Sequence, residues 1–200
     1  TTLNCAEKVK DTFGPEVGIA DYLSRKYPDE NMFIVKCAVG GTNIFHDWLP
    51  PSCKGDYQKE SFGFGDTENE FYRGGGWLFN ELVKILGESI YILENQGFEP
   101  EICAFCWMQG ESDSFEPIVY RRYHKAQSNF LSYLRKDFAE YAEEGGICFI
   151  DAGISNSPCW PGYRAVNAAK KKMASESDLN YYFSTIDAGL EWGVEPEESP

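Results

Sequence analysis

One stretch limits what this chain can fold into: Ile102-Cys103-Ala104-Phe105-Cys106-Trp107-Met108-Gln109-Gly110-Glu111-Ser112-Asp113. Its first half is a continuous apolar run between Glu101 and Gln109, the pattern of a strand buried on both faces. Its second half turns at once to polar side chains about a glycine. Ligands bind beyond the carboxyl ends of strands in open α/β sheets. Gln109, Glu111, Ser112 and Asp113 therefore fall where a site is expected. Polar side chains delivered by a buried strand cost stability unless they are paired or used. A plainer alternative, a strand followed by a polar loop and a helix cap, accounts for the same residues.

Around this stretch, apolar runs alternate with helical spacing. Residues 32–38 read as a strand that ends in Val39-Gly40-Gly41-Thr42-Asn43, and residues 147–151 and 181–187 read as two more. Helices are expected over 15–26, with Pro15 in the first turn, and over 77–95, stopped by Gly97. A third starts at Pro117 with an apolar face of Tyr120, Tyr123, Phe130, Leu131, Leu134 and Phe138, interrupted by Gln127. A fourth spans about 163–175. Helices alternating with buried strands predict a three-layer α/β/α sandwich around a mainly parallel sheet. Two hundred residues suit a single domain over 1–200. The Pro- and Gly-rich stretch 49–76 reads as a long loop, and the acidic tail 195–200 as a mobile end.

Charge narrows the partners. A net charge of −14 offers no basic stripe for phosphates, so neither nucleic acid nor an anionic membrane surface is expected. No apolar run approaches a membrane span, and no signal peptide opens the chain. A removed leader would leave the same sequence, so cytoplasmic and exported settings both stay open. The seven cysteines are irregularly spaced and read as small buried hydrophobes in a reducing compartment. Cys103 and Cys106 lie three apart within a strand and so point to opposite faces. With only His46 and His124, a zinc site has little support.

Paired glycines after a strand let main-chain N–H groups approach a ligand, so Gly40 and Gly41 read as half of an oxyanion hole or simply as a tight turn. The phosphate-loop lysine is missing, which sets aside a nucleotide binder. His46 reads as a base or as a solvated loop residue. Ser112 with His46 and either Asp47 or Asp113 is the triad these residues would allow.

Taken together, Gly14-Pro15-Glu16, Ala38-Val39-Gly40-Gly41-Thr42 with Trp48, Trp107-Met108-Gln109-Gly110-Glu111-Ser112-Asp113, and Thr185-Ile186-Asp187 resemble successive blocks of the SGNH-type hydrolases. The branch is that of the sialate O-acetylesterases and the carbohydrate esterase family 6 acetylxylan esterases. The resemblance implies an SGNH, flavodoxin-like fold and a serine esterase acting on an acetylated carbohydrate, with no metal or organic cofactor. It implies that Gly40 or Gly41 and the Gln109 carboxamide hold the oxyanion, with Glu111 supporting the loop behind them. Thr42, Trp48 and Trp160 are the candidate substrate contacts. The family's nucleophile block precedes the Gly-Pro-Glu helix, yet residues 1–12 contain no serine. Its Asp-x-x-His block follows the last strand, yet no histidine follows His124. The expectation is a domain lacking its first and last blocks and inactive as it stands, or else a carbohydrate-binding module on an esterase fold.

Overall fold

The computed structural model describes residues 14–50, 53 and 76–190. Most of the expected 49–76 loop, the first twelve residues and the acidic tail lie outside the described residues. The chain divides into two compact units, 1–40 with 81–98, and 41–80 with 99–200.

In the first unit, α1 (Glu16–Lys26) forms where expected. The Glu16 carboxylate accepts from the Gly14 N–H at 2.8 Å and from Lys36 Nζ at 2.7 Å. The Lys36 ammonium, chiefly, and the Gly14 N–H hold that carboxyl below its usual range. Arg25 and Lys26 close the helix where the dipole favours cations. The expected amphipathic face buries nothing, since α1 has no buried residue. The expected strand 32–38 is extended, but only Lys36 occupies a bridge position. Extended preference is local, whereas a ladder needs a neighbour, and among the described residues no strand runs along this segment. α2 (Trp77–Asn95) begins in the second unit and continues in the first. It ends as its sequence predicts: Phe98 N–H reaches back to Leu93 O (3.1 Å) and Gly97 N–H to Glu94 O (2.9 Å), the Schellman closure with glycine beyond the cap.

The second unit is α/β. Strands β1 (Ala104–Trp107), β2 (Cys148–Ala152) and β3 (Asn180–Phe183) form a parallel sheet in the order β1-β2-β3. Trp107 stands opposite Asp151, and Asp151 opposite Tyr182. The helix expected from Pro117 is broken at Arg121 and Arg122 into α3 (Pro117–Tyr120) and α4 (Tyr123–Asp137), followed by α5 (Tyr163–Ala174). Within this unit α5 packs on β2 and β3, and burial alternates along the strands. Phe149, Asp151 and Asn180 are buried, while Cys106, Ile150, Tyr181 and Phe183 are exposed. This corrects the expectation of a first strand buried on both faces. The cysteines differ as well: Cys103, Cys106 and Cys159 are exposed and Cys37, Cys53 and Cys148 half-buried.

Gln127, which breaks the apolar pattern of α4, lies fully inside the core with its Nε2 2.5 Å from Asp151 Oδ2. Asp151 also takes the ammonium of Lys170 at 2.5 Å, and Lys170 donates to Ala152 O at 3.0 Å. Both members of this ion pair are buried. Burial raises the Asp151 carboxyl, against the lowering pull of Lys170 and Gln127. Removing one partner strands a buried charge, whereas neutralising both does not. Lys170→Met alone is therefore expected to lower unfolding free energy by about 3–5 kcal/mol, and Lys170→Met with Asp151→Asn to recover most of it. Urea unfolding of the two variants checks this.

Candidate active site

The glycine bend is exposed at Gly40 and Gly41, and Gly41 adopts a left-handed φ of 75°. From Thr42 onward the chain turns inward, and all residues to Pro50 are buried except the half-buried His46. Asn43 caps the single π-helical turn Ile44–Trp48, its Oδ1 accepting from the His46 N–H at 2.8 Å. Asp47 answers: its Oδ2 accepts from the Asn43 N–H (2.8 Å) and its Oδ1 from the Trp77 indole (2.9 Å). Burial raises the Asp47 carboxyl and lowers the His46 imidazole.

The polar turn after β1 packs onto this segment. Gln109, only 7% exposed, places its Nε2 3.0 Å from the Thr42 carbonyl and 2.5 Å from Asp113 Oδ2. Both N–H groups of the carboxamide are thus engaged. Its Oε1 accepts from the Tyr123 hydroxyl at 3.0 Å. Asp113, fully buried, accepts the Ile44 N–H at 3.1 and 3.2 Å through its two oxygens. Burial pushes its carboxyl up to about 7, against the lowering effect of the Gln109 and Ile44 donors. Glu111 precedes a 3-10 turn over Ser112–Phe115, and its main-chain carbonyl receives Ser114 N (3.1 Å) and Ser114 Oγ (2.7 Å). Ser112 is half-buried in that turn.

Gly110 has a φ of 132°, and a Cβ there would stand 2.6 Å from Val166 Cγ1 and 3.4 Å from the Tyr123 hydroxyl. Helices α4 and α5 thus approach the turn as closely as a glycine permits.

The remaining sequence candidates are distributed as follows. Trp48 is buried, its indole donating to Thr42 Oγ1 at 3.1 Å and its ring edge-on to Trp107 at 5.0 Å. Trp160 is half-buried and stands edge-on to Phe115 at 5.7 Å. The carboxylates of Asp47 and Asp113 are taken up by the contacts above. An open groove beyond β3 is lined by Lys171, Tyr182, Phe183, Ser184, Asp187 and Ala188, none from the glycine bend or the polar turn. Among the described residues no cluster of three or more acidic, histidine or cysteine side chains converges as a metal site, and no helix is long and apolar enough to cross a membrane.

A family model described as carbohydrate esterase, sialic acid-specific acetylesterase, matches residues 2–188. The chain belongs to this family. Comparison with curated proteins returned no match, and comparison with solved structures returned none either. In this member of the family, sequence reasoning missed Tyr123 as a polar partner of Gln109, because tyrosine at helical spacing reads as core. The available signal was its hydroxyl, which needs a partner wherever the ring is fully buried.

Two outcomes test this geometry. Gly110→Ala combines a disfavoured φ with a clash, and is expected to cost about 1–3 kcal/mol in urea unfolding. The folded Asp113 carboxyl keeps its proton up to about pH 7, against a reference value of 3.8. Between those values the folded state holds a proton that the unfolded state has lost, so the Asp113 contribution to stability falls as pH rises from about 4 to about 7 and is flat above. Unfolding free energies across that range should show the wild type losing ground to Asp113→Asn, with no further change above pH about 7.

Proposed function

We propose that the chain supplies the oxyanion-binding part of a carbohydrate O-acetyl esterase. A serine attacks the acetyl carbonyl, the sugar hydroxyl departs with a proton from the base, and water then releases acetate from the acyl-enzyme. The carbonyl oxygen, as it gains charge, accepts from the main-chain N–H of Gly40 or Gly41 and from the Gln109 carboxamide. A carboxamide suits this task because it donates without titrating, and one such donor is worth about 3 kcal/mol. One Gln109 N–H turns from the Thr42 carbonyl to the ester oxygen while the other stays on Asp113. Nucleophile and base are the serine and histidine of the family's first and last blocks. Glu111 holds the turn that carries Gln109, and Trp160 offers a ring to the sugar.

The observation that supports this reading is the 3.0 Å bond from Gln109 Nε2 to the Thr42 carbonyl. It brings the carboxamide to the residue that follows Gly41. The test is acetate release from O-acetylated sialic acid and from acetylated xylan oligomers by the product of the whole reading frame. Gln109→Ala, checked for folding by circular dichroism, is expected to lower kcat by about two orders of magnitude. Unchanged turnover in the folded variant overturns the role of Gln109. Binding of the acetylated sugar with no acetate release by the unmodified protein overturns the esterase reading in favour of a binding module.

A further inference from the structure

The donors and acceptors around Gln109 have a fixed direction. An indole N–H only donates, and Trp107 Nε1 donates to the Tyr123 hydroxyl oxygen at 3.3 Å. The phenolic proton is thereby turned toward Gln109, where the main-chain carbonyl and Oε1 each lie 3.0 Å away. These two oxygens share the one phenolic proton, so the relay from Trp107 through Tyr123 reaches the oxygen end of the carboxamide as well as the main chain. The nitrogen end faces Thr42 and Asp113, which accept from it.

Of the two acceptors at the nitrogen end, the Thr42 carbonyl accepts at every pH, whereas Asp113 does not. An ionised carboxylate only accepts, but a protonated one donates as well, and the Asp113 carboxyl changes state at about 7. Once protonated, it can meet either end of an amide. The Tyr123 phenol stays protonated throughout, because burial and the charges of Asp151, Asp113 and Glu111 push it well above its ordinary value. The charged groups facing this pair come from every neighbouring element: Asp47 from the π-helical turn, Asp151 from β2, Lys170 from α5, and Glu111 beside Gly110. Lys170 Nζ lies 5.7 Å from the Tyr123 ring centroid, and its charge favours ionised Asp113 without entering the relay.

We propose that Tyr123, oriented by Trp107, is a positioning residue that, together with the Thr42 carbonyl, fixes which end of the Gln109 carboxamide faces the glycine bend. The consequence for catalysis rests on the esterase reading above; the orientation itself does not. Tyr123 touches no reacting atom and acts through Gln109.

The experiment uses the 200-residue chain, ¹⁵N-labelled, without substrate. In the wild type the Gln109 side-chain NH₂ should give one pair of resonances on both sides of pH about 7. Tyr123→Phe keeps the ring and removes the relay. It should leave one pair well above pH 7, where ionised Asp113 and the Thr42 carbonyl both hold the nitrogen end, and give a doubled or exchange-broadened pair about one unit below it, where the Thr42 carbonyl is left to do so alone. A single unchanged pair below pH 7 in folded Tyr123→Phe overturns the proposal. Should that variant fail to fold, Trp107→Phe frees the phenol oxygen to accept and should produce the same doubling; a single pair there overturns it equally. In the acetate assay, Tyr123→Phe should lower kcat about tenfold below pH 7 and clearly less above it, with KM little changed. A pH-independent loss overturns the positioning role. Resonance doubling without any acetate release from wild type would sink the esterase reading alone.

Discussion

A single buried carboxyl joins the two motifs. Asp113 takes the Ile44 main-chain N–H with both oxygens and the Gln109 carboxamide with one of them. Ile44 follows the glycine bend, and Gln109 follows β1, so one side chain ties segments nearly seventy residues apart. A carboxylate placed there is costly to desolvate, and the upward shift of its pKa reflects that cost. What offsets it is geometric. The donors that surround Asp113 would themselves be buried and unpaired without it. The segment from Thr42 to Trp48, the polar turn and the start of α4 are therefore one polar assembly inside an otherwise aromatic core of Trp48, Trp107 and Phe130.

A second buried carboxyl, Asp151, anchors the far side. It sits opposite Trp107 in the sheet and binds Lys170 from α5 and Gln127 from α4. The two polar centres share Tyr123, whose ring lies beneath Lys170 and whose hydroxyl serves Gln109. Such networks stabilise only when nearly every member is satisfied. Among the described residues, Gln127 Oε1 is a buried atom with no hydrogen-bond partner.

Much of the secondary structure was legible in the sequence, because its signals are local. The apolar run before Gln109 gave β1, helical spacing and Gly97 gave α2 with both ends, and three strands of the α/β alternation formed. What failed depended on partners. Residues 32–38 carry the composition of a strand but no described ladder. The helix from Pro117 carries helical spacing across Arg121 and Arg122, yet breaks there, and Tyr123 opens α4. At the candidate site, the seven-residue motif and the glycine pair were visible as chemistry. Their convergence was implied by the resemblance, but the contacts that join them were not legible, because Gln109 meets a main-chain carbonyl and Asp113 a main-chain N–H. Main-chain groups are the same at every position, so no sequence pattern names them. Gln127 shows the converse: a polar residue on an apolar face looked like a flaw and is a core contact.

One modest contact sets how the rim of the site can move. The Ser114 carbonyl accepts the Gly162 N–H at 2.9 Å, joining the turn after β1 to the start of α5. At the other end of the intervening loop, the Asn167 carboxamide pairs with both the N–H and the carbonyl of Ile154, each at 2.9 Å. The strap from Ile154 to Gly162 is therefore pinned at both ends, with Trp160 leaning on Phe115 between them. Its aromatic edge is thereby tied to the turn that carries Gln109, so the spacing between Trp160 and the carboxamide is set by this short chain of contacts.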